Sequence, residues 1–263
     1  MKIAIKLILL FLSTKAFALV PSQVAEEAVF DSVVTFYSPD VDENGDSVPA
    51  FFNGVLISPT EVISAAHCVI GAEALGKREI DLQLGNYRYR SREGEPIRRI
   101  GYANFHRQTI KVKYVFTPEL TNKIRRQGRR TRIGVAEDQL RIILQEPLNL
   151  ANAPTVALVT TAQERQALKA RVTSYAPRVV TVNWLETLTH MDTRQFAHLD
   201  KLSASGGAFE SKSVGRVQPG DSGAPVFVRI GSEWKLIAVV KGRAETFFSN
   251  WDVYPILDQR LFE

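Results

Sequence analysis

The sequence predicts an all-β fold, and two observations support that prediction. Short runs of β-branched and aromatic residues recur along the whole chain, and Gly, Pro, Asn and Asp residues separate them. This pattern is typical of β-barrels and β-sandwiches, in which many short strands are joined by turns. The length of 263 residues also suits one large β domain or two half-domains that share a core interface.

The predicted strands fall into two sets, joined by a linker at 146–154 that contains two prolines. The first set covers 32–37, 51–58, 61–65, 81–84, 98–103 and 139–144. The second set covers 155–158, 170–175, 179–183, 224–230 and 234–240. Near the C-terminus, Ile256, Leu257, Arg260 and Leu261 stand at helical spacing, which predicts a short helix at about 254–262.

The N-terminus has the pattern of a secretory signal peptide over residues 1–18. Lys2 and Lys6 precede an apolar run, and a small-residue cleavage pattern ends at Ala18. The apolar run is too short to cross a bilayer, and no later segment approaches ~20 apolar residues. We therefore expect an exported protein, periplasmic or extracellular, with no stable membrane insertion.

Composition excludes several classes of partner. The formal net charge is +5, and loss of the three lysines in residues 1–18 would lower it to +2, which gives little support for nucleic-acid binding. The histidines outside the motif described below (His106, His190 and His198) form no recognisable metal spacing. We expect a monomer that needs no metal and no cofactor.

Two short motifs indicate hydrolytic chemistry. Ser222 lies between glycines in the segment 218–225 (QPGDSGAP), which leads into an apolar strand, and His67 follows another predicted strand in the segment 65–68 (AAHC). A serine hydroxyl is a weak nucleophile at neutral pH and needs a base, and histidine titrates in the range that this role requires. Glycines beside a nucleophile let backbone N–H groups turn toward a developing oxyanion. The two motifs together predict a serine hydrolase.

These motifs resemble those of the trypsin/chymotrypsin-like serine proteases, and the chain looks like an exported bacterial member. The segment 52–59 (FNGVLISP) is similar to the strand that precedes the histidine in that family, and 138–148 (DQLRIILQEPL) is similar to its aspartate segment. The resemblance covers most of the chain in the family's order of His, Asp and Ser. It implies one protease domain at 19–263, with two antiparallel six-stranded barrels at about 27–147 and 152–252 packed together, and a short C-terminal helix.

The resemblance implies specific roles for the site residues. Ser222 would attack a peptide carbonyl, His67 would act as its base, Asp138 would orient the imidazole, and the N–H groups of Gly220 and Ser222 would form the oxyanion hole. The spacing to Pro147 favours Asp138 as the acid, although Glu137 and Asp81 stay open as alternatives.

The resemblance also implies an activation ion pair and a substrate pocket. Asp221 would pair with a new N-terminal ammonium, and cleavage after residue 18 would supply one at Leu19. Arg216 stands where the family has its pocket floor, and the wall segment contains Lys241, Gly242 and Arg243. A cation at the floor would favour an acidic side chain in the substrate, but arginine usually points to solvent.

Cys68 is the only cysteine, which is unusual for an exported protein of this kind. Phe52 stands where the family has the cysteine that would pair with it. We therefore expect packing to replace the disulfide, and Cys68 to be a buried and inert thiol.

The segment 122–132 is an insertion in which six of eleven residues are basic. A run of like charges is usually a solvated loop, although a binding patch for an acidic polymer or a membrane surface, or a site of proteolytic cleavage, is an alternative.

The leading hypothesis is a serine endopeptidase acting on proteins or peptides. The alternative is a catalytically silent homologue that binds a polyanion or a protein partner through this basic segment.

Overall fold

A computed structural model of the chain describes residues 23–24, 32–38, 50–90, 98–148, 157–158, 179–187, 190–198, 202–205, 208–211, 217, 221–230, 233–245 and 250–262. Strands predominate among these residues, and the helices are few and short. The prediction of a mostly β fold is therefore confirmed. The predicted signal peptide and the predicted strand at 170–175 lie outside the described residues.

Six strands of the first half form an antiparallel barrel. After the two-residue strand β1 (Gln23–Val24) come β2 (Val33–Ser38), β3 (Ala50–Ser58), β4 (Glu61–Ser64), β5 (Glu79–Arg90), β6 (Arg98–Val115) and β7 (Leu140–Leu144). Around the barrel the order is β2-β3-β4-β7-β6-β5, and pairing of β2 with β5 closes it.

Alternation of side chains along the strands fills this barrel. In β7, Leu140, Ile142 and Leu144 are buried, and the two residues between them are partly exposed, which is the period of two of a strand with one face in the core. On the opposite side Phe36 stacks on Phe52, with ring centroids 5.1 Å apart. An aromatic core residue thus stands where the resemblance places a cysteine.

The insertion forms a helix, and our prediction of a solvated loop at 122–132 is wrong. Helix α1 (Ile70–Ala74) is followed by α2 (Pro118–Gln127) and a 3-10 turn at Gly128–Arg130. The side chain of Thr117 caps α2 by accepting the N–H of Leu120, and proline occupies the first turn. Leu120 and Ile124, four residues apart on one face, are buried in the barrel core. This short apolar stripe determines the conformation despite the surrounding charge.

The described strands of the second half form two sheets. They are β8 (Ala157–Leu158), β9 (Val179–Thr187), β10 (His190–His198), β11 (Leu202–Ser205), β12 (Ala208–Ser211), β13 (Pro225–Ile230), β14 (Glu233–Val239), β15 (Gly242–Glu245) and β16 (Asn250–Pro255). One sheet has the order β1-β10-β9-β13-β14-β8, and the other has the order β11-β12-β16-β15. Pairing among the described residues therefore gives one closed barrel and not the two that we predicted.

The C-terminal helix predicted at about 254–262 is replaced by other structure. Residues up to Pro255 belong to β16, which pairs with β12 on one side and β15 on the other. A single 3-10 turn follows at Gln259–Leu261, and Leu257 and Leu261 are buried. The helical spacing of the apolar residues was therefore misleading, because strand pairing takes the first residues of the segment.

An apolar cluster joins the two halves of the molecule. From the barrel it includes Val33, Val55 and Ile63, and from the second half it includes Phe227, Leu236, Val239 and Leu257. Its members Ile63 on β4 and Phe227 on β13 belong to the strands that adjoin the two motifs identified in the sequence. Burial of this cluster stabilises the arrangement of the two halves on which the candidate site depends.

Candidate active site

His67 lies at the end of β4, on the barrel half. The strand passes into a 3-10 turn at Ala66–Cys68, and both Ala65 and Ala66 are buried. Small side chains let this turn pack tightly against the barrel while the imidazole stays partly accessible, with 35% of its side-chain surface exposed. The base is therefore held on a packed turn at the edge of the barrel.

Ser222 lies in the turn before β13, on the second half. Its carbonyl accepts the N–H of Asn53 at 2.7 Å, which ties the turn to barrel strand β3. The next residue, Gly223, has φ +77, and a Cβ atom there would collide with the carbonyl of Asn53 and the hydroxyl of Ser64. Only glycine suits both this backbone conformation and this close approach.

Asp138 follows a 3-10 turn at Val135–Glu137 and is completely buried. The adjacent Gln139, also buried, fixes the loop to the C-terminal segment. Its amide nitrogen donates to the carbonyl of Ile256 at 2.9 Å, and its amide oxygen accepts the N–H of Asp258 at 2.7 Å. This positioning role of Gln139 was not predicted from the sequence, because nothing in the local pattern distinguishes its side chain.

The fold brings these three predicted residues together. Nδ1 of His67 lies 2.8 Å from Oδ2 of Asp138, and Nε2 of His67 lies 2.9 Å from Oγ of Ser222. The backbone N–H of His67 also donates to Oδ1 of Asp138 at 2.8 Å. The buried carboxylate thus contacts one side of the imidazole, and the serine hydroxyl contacts the other.

Lys241 adds a cation to this group. Its Nζ donates to Oδ2 of Asp138 at 2.7 Å, the same oxygen that faces His67. The resemblance placed Lys241, Gly242 and Arg243 in the wall of a substrate pocket, yet the Lys241 side chain is directed to the carboxylate. Gly242 and Arg243 belong to β15, where they pair with Val253 and Asp252 of β16.

The charges at the site shift both pKa values. For Asp138, burial alone would raise the pKa, but the hydrogen bond and charge of His67 and the ammonium of Lys241 lower it below its usual range. For His67, burial alone would lower the pKa, but the nearby sulfur of Cys68 and the carboxylate of Asp138 raise it above its ordinary value. The environment therefore favours an ionised Asp138 and a more basic imidazole.

Cys68 does not have the buried position that we predicted. It is only partly buried, and its Sγ lies 3.5 Å from Nε2 of His67, the nitrogen that also faces Ser222. Two potential nucleophiles thus share one imidazole nitrogen. The expectation that the thiol is inert stays a prediction, and the geometry gives a reason to test it.

The other predicted site residues are placed only in part. Asp221 is completely buried beside Ser222, whereas Leu19, Gly220 and Arg216 lie outside the described residues. Of the alternative acids, Glu137 binds Nζ of Lys123 through both carboxylate oxygens at 2.6 Å. The backbone of Asp81 lies in β5, opposite Tyr37 and Thr109. The side chain of Asp138 is brought to His67.

Comparisons with known proteins assign no family to this chain. A scan against the models of known protein families finds no match, and a search of curated proteins finds none.

Within the described segments, no helix is both long enough and apolar enough to cross a membrane. In the same segments, His, Cys, Asp and Glu side chains form no cluster of three or more that could hold a metal ion.

Proposed function

We propose that this protein is an exported serine endopeptidase. One observation carries the proposal: His67 lies between a completely buried Asp138 at 2.8 Å and the hydroxyl of Ser222 at 2.9 Å. These distances are within the range in which a base can take a proton from a nucleophile while a third group orients it. The resemblance of the surrounding motifs to trypsin-like proteases supports the same reaction.

The proposed reaction proceeds in two steps through an acyl-enzyme. Oγ of Ser222 attacks the peptide carbonyl as its proton passes to Nε2 of His67, and the imidazolium then gives that proton to the leaving amine. Water, deprotonated by the same nitrogen, releases the acyl group and restores the serine. Asp138 stays ionised throughout and holds the Nδ1–H tautomer. No metal or cofactor enters this scheme.

The proposal includes the further features that the resemblance implies. These are a second six-stranded barrel at about 152–252, an oxyanion hole at the N–H groups of Gly220 and Ser222, and a pocket that includes Arg216. Removal of residues 1–18 would expose Leu19, whose ammonium would pair with Asp221. Asp221 is completely buried, and a buried carboxylate is favoured by a neighbouring opposite charge such as this ammonium.

Labelling with a fluorophosphonate probe tests the proposal directly. We expect the purified mature protein to be labelled, and Ser222→Ala and His67→Ala each to abolish labelling. Ser58→Ala is the matched control, because Ser58 is a partly buried serine in β3 whose hydroxyl accepts the backbone N–H of Thr60. Absence of labelling in a folded wild-type protein would refute the enzyme proposal.

Substitution of Asp138 tests the assignment of the acid. Asp138→Asn removes the negative charge and favours the wrong imidazole tautomer, so we expect hydrolysis of a peptide substrate to fall roughly 10⁴-fold. Glu146→Gln is the control, since Glu146 is an exposed carboxylate with no role in the proposed triad. If Asp138→Asn kept full activity, the acid would have to be reassigned.

A second candidate function is a silent homologue that binds a polyanion or a protein partner. The observation that favours it is the row of exposed arginines on α2 and the following residues, at positions 125, 126, 129, 130 and 132. Guanidinium groups bind phosphate and sulfate in bidentate fashion. Failure of probe labelling together with salt-sensitive retention on a sulfated polysaccharide would favour this function.

A further inference from the structure

The ammonium of Lys241 contacts Asp138, the carboxylate that orients the proposed base His67. Oδ2 of Asp138 accepts hydrogen bonds from both Nδ1 of His67 and Nζ of Lys241, at 2.8 and 2.7 Å. The carboxylate is completely buried, and the Lys241 side chain is only 27% exposed. Two cations therefore share one oxygen whenever His67 is protonated.

The backbone fixes Lys241 to the same turn that carries Ser222. The N–H of Gly223 donates to the carbonyl of Val240 at 2.8 Å, and the N–H of Val240 donates to the carbonyl of Ala224 at 2.8 Å. The N–H of Lys241 itself donates to the carbonyl of Val253 at 3.0 Å. The ammonium thus reaches Asp138 from a position that is hydrogen-bonded to the nucleophile turn, so its placement follows that of Ser222.

Charges of both signs face the imidazole or its partner. Asp138 and the sulfur of Cys68 favour the imidazolium, whereas Lys241 opposes it by withdrawing negative charge from Oδ2. Lys123 and Glu137, on α2 and the turn before Asp138, form a pair in which the two charges compensate each other. Asp221, completely buried in the Ser222 turn, is a further titratable group near the nucleophile.

We propose that Lys241 is a positioning residue. It keeps His67 neutral at a lower pH than Asp138 and Cys68 alone would allow. This proposal rests on the proposed function, in which His67 must be neutral to accept the proton of Ser222. The ammonium favours the charged form of Asp138, and it also weakens the attraction between that carboxylate and an imidazolium. The contact at Oδ2 excludes the alternative that Lys241 binds substrate in the resting site, because its ammonium is already held by a buried carboxylate.

The test compares two variants of Lys241. Lys241→Met keeps the length of the side chain but removes its charge, and Lys241→Arg keeps the charge. The first readout is the NMR titration of His67, followed at its ring Cε1–H and assigned by comparison with His67→Gln. The second is the pH dependence of kcat/KM for a peptide substrate. Circular dichroism shows whether each variant is folded.

We expect Lys241→Met to raise the pKa of His67 by about one unit, because removal of a nearby cation favours the imidazolium. The acid limb of kcat/KM should move to higher pH by the same amount, which is roughly a tenfold loss at a fixed pH below that limb. In Lys241→Arg, His67 should titrate as it does in the wild type. A purely structural role would lower activity equally at all pH values and leave the titration unchanged.

The outcomes separate this proposal from the proposed function. An unchanged His67 titration in folded Lys241→Met, or an equal shift in Lys241→Arg, would overturn the role of Lys241 even if the protein is an active protease. A shift confined to Lys241→Met in a protein that neither hydrolyses peptides nor reacts with the probe would support the coupling of Lys241 to His67 and refute the endopeptidase.

Discussion

Asp138 shows how single residues build this site against the cost of burying a charge. A carboxylate removed from water is destabilised unless hydrogen bonds and opposite charge replace its solvation. Here the backbone N–H of His67, the imidazole of His67 and the ammonium of Lys241 all donate to it. Because three donors converge on one buried group, the carboxylate is held in a single orientation against the histidine.

Cys68 provides a prediction at the scale of one side chain. Its Sγ lies 3.5 Å from Nε2 of His67, close to the space where Ser222 must receive its substrate. Alkylation by iodoacetamide would place a new group beside that nitrogen. We therefore expect alkylated wild-type protein to lose at least about tenfold in its rate of reaction with a fluorophosphonate probe, since removal of general-base assistance typically costs 10²–10⁴-fold.

The control for this experiment is Cys68→Ala, which removes the thiol and leaves His67 and Ser222 in place. It should react with the probe before and after treatment with iodoacetamide. If mass spectrometry showed complete alkylation of Cys68 with an unchanged probe rate, the sulfur would have no functional contact with His67. If the folded thiol resisted alkylation altogether, the expectation of an inert cysteine would stand.

Helix α2 supports the site at the scale of an element. Its inner face is packed in the barrel core through Leu120 and Ile124, and its Lys123 binds Glu137 in the turn before Asp138. Glu137 in turn accepts the N–H of Gly134 at 2.9 Å, which closes that turn. The insertion therefore connects the barrel core to the loop that presents the acid.

Replacement of Leu120 tests whether α2 is packed as the structure describes. Leu120 is completely buried, so Leu120→Ala should lower the free energy of unfolding by about 2–5 kcal/mol, as loss of a buried leucine side chain does. Arg125→Ala, on the exposed face, should change it by less than about 1 kcal/mol. Urea denaturation measures both. Equal, small effects would mean that the segment is the solvated loop that its charge predicts.

Strands were predictable from the sequence where one face is buried. The alternation in β7 and the apolar run of β13 are visible without a structure, because a period of two identifies a half-buried strand. The segments that became α2 and β16 were misassigned for opposite reasons. In α2, the run of basic residues drew attention away from Leu120 and Ile124, whose burial stabilises the helix. In the segment that includes β16, strand pairing on both sides outweighed the helical spacing, and such pairing depends on the tertiary structure.

The candidate site was predictable to the extent that local chemistry marks it. His67 and Ser222 stand in short motifs whose small residues and glycines are required by tight turns, as the contacts of Gly223 demonstrate. Lys241 and Gln139 carry no such mark, because their roles depend on contacts with residues more than a hundred positions away. Such contacts follow from the fold and not from spacing.

At the scale of the whole molecule, the site exists only where the two halves meet. His67 and Asp138 come from the barrel half, and Ser222 and Lys241 come from the second half. The apolar cluster that includes Val55 and Phe227 holds these halves together, and the hydrogen bond from Asn53 to Ser222 crosses the same boundary. Stability of this interface and integrity of the site are therefore linked.

The buried carboxylate of Asp138 at this interface predicts a specific dependence of stability on pH. The pKa of Asp138 in the folded protein is lowered, through His67 and Lys241, relative to the unfolded chain. Its carboxylate therefore stabilises the folded state above the unfolded pKa of about 4, and this contribution is lost as the pH falls through the folded value. His67 has a raised pKa in the folded state, so well below its unfolded pKa of about 6.5 it is protonated in both states and adds little slope.

Urea denaturation of wild-type protein and Asp138→Asn from pH 6 to pH 3 measures this contribution. All other acids titrate in both proteins, so the difference between their free energies of unfolding isolates Asp138 to a first approximation. We expect the wild type to be the more stable at pH 6, and its advantage to shrink steadily toward pH 3 as the carboxylate is protonated. Glu137→Gln is the comparison: its pKa is also lowered, mainly by the hydrogen bond from Lys123, but its carboxylate is more exposed, so its curve should converge with the wild type in the same direction by a smaller amount. Parallel curves for wild type and Asp138→Asn would mean that Asp138 has the same affinity for protons in the folded and unfolded chains, which the three donors around its buried carboxylate should not permit.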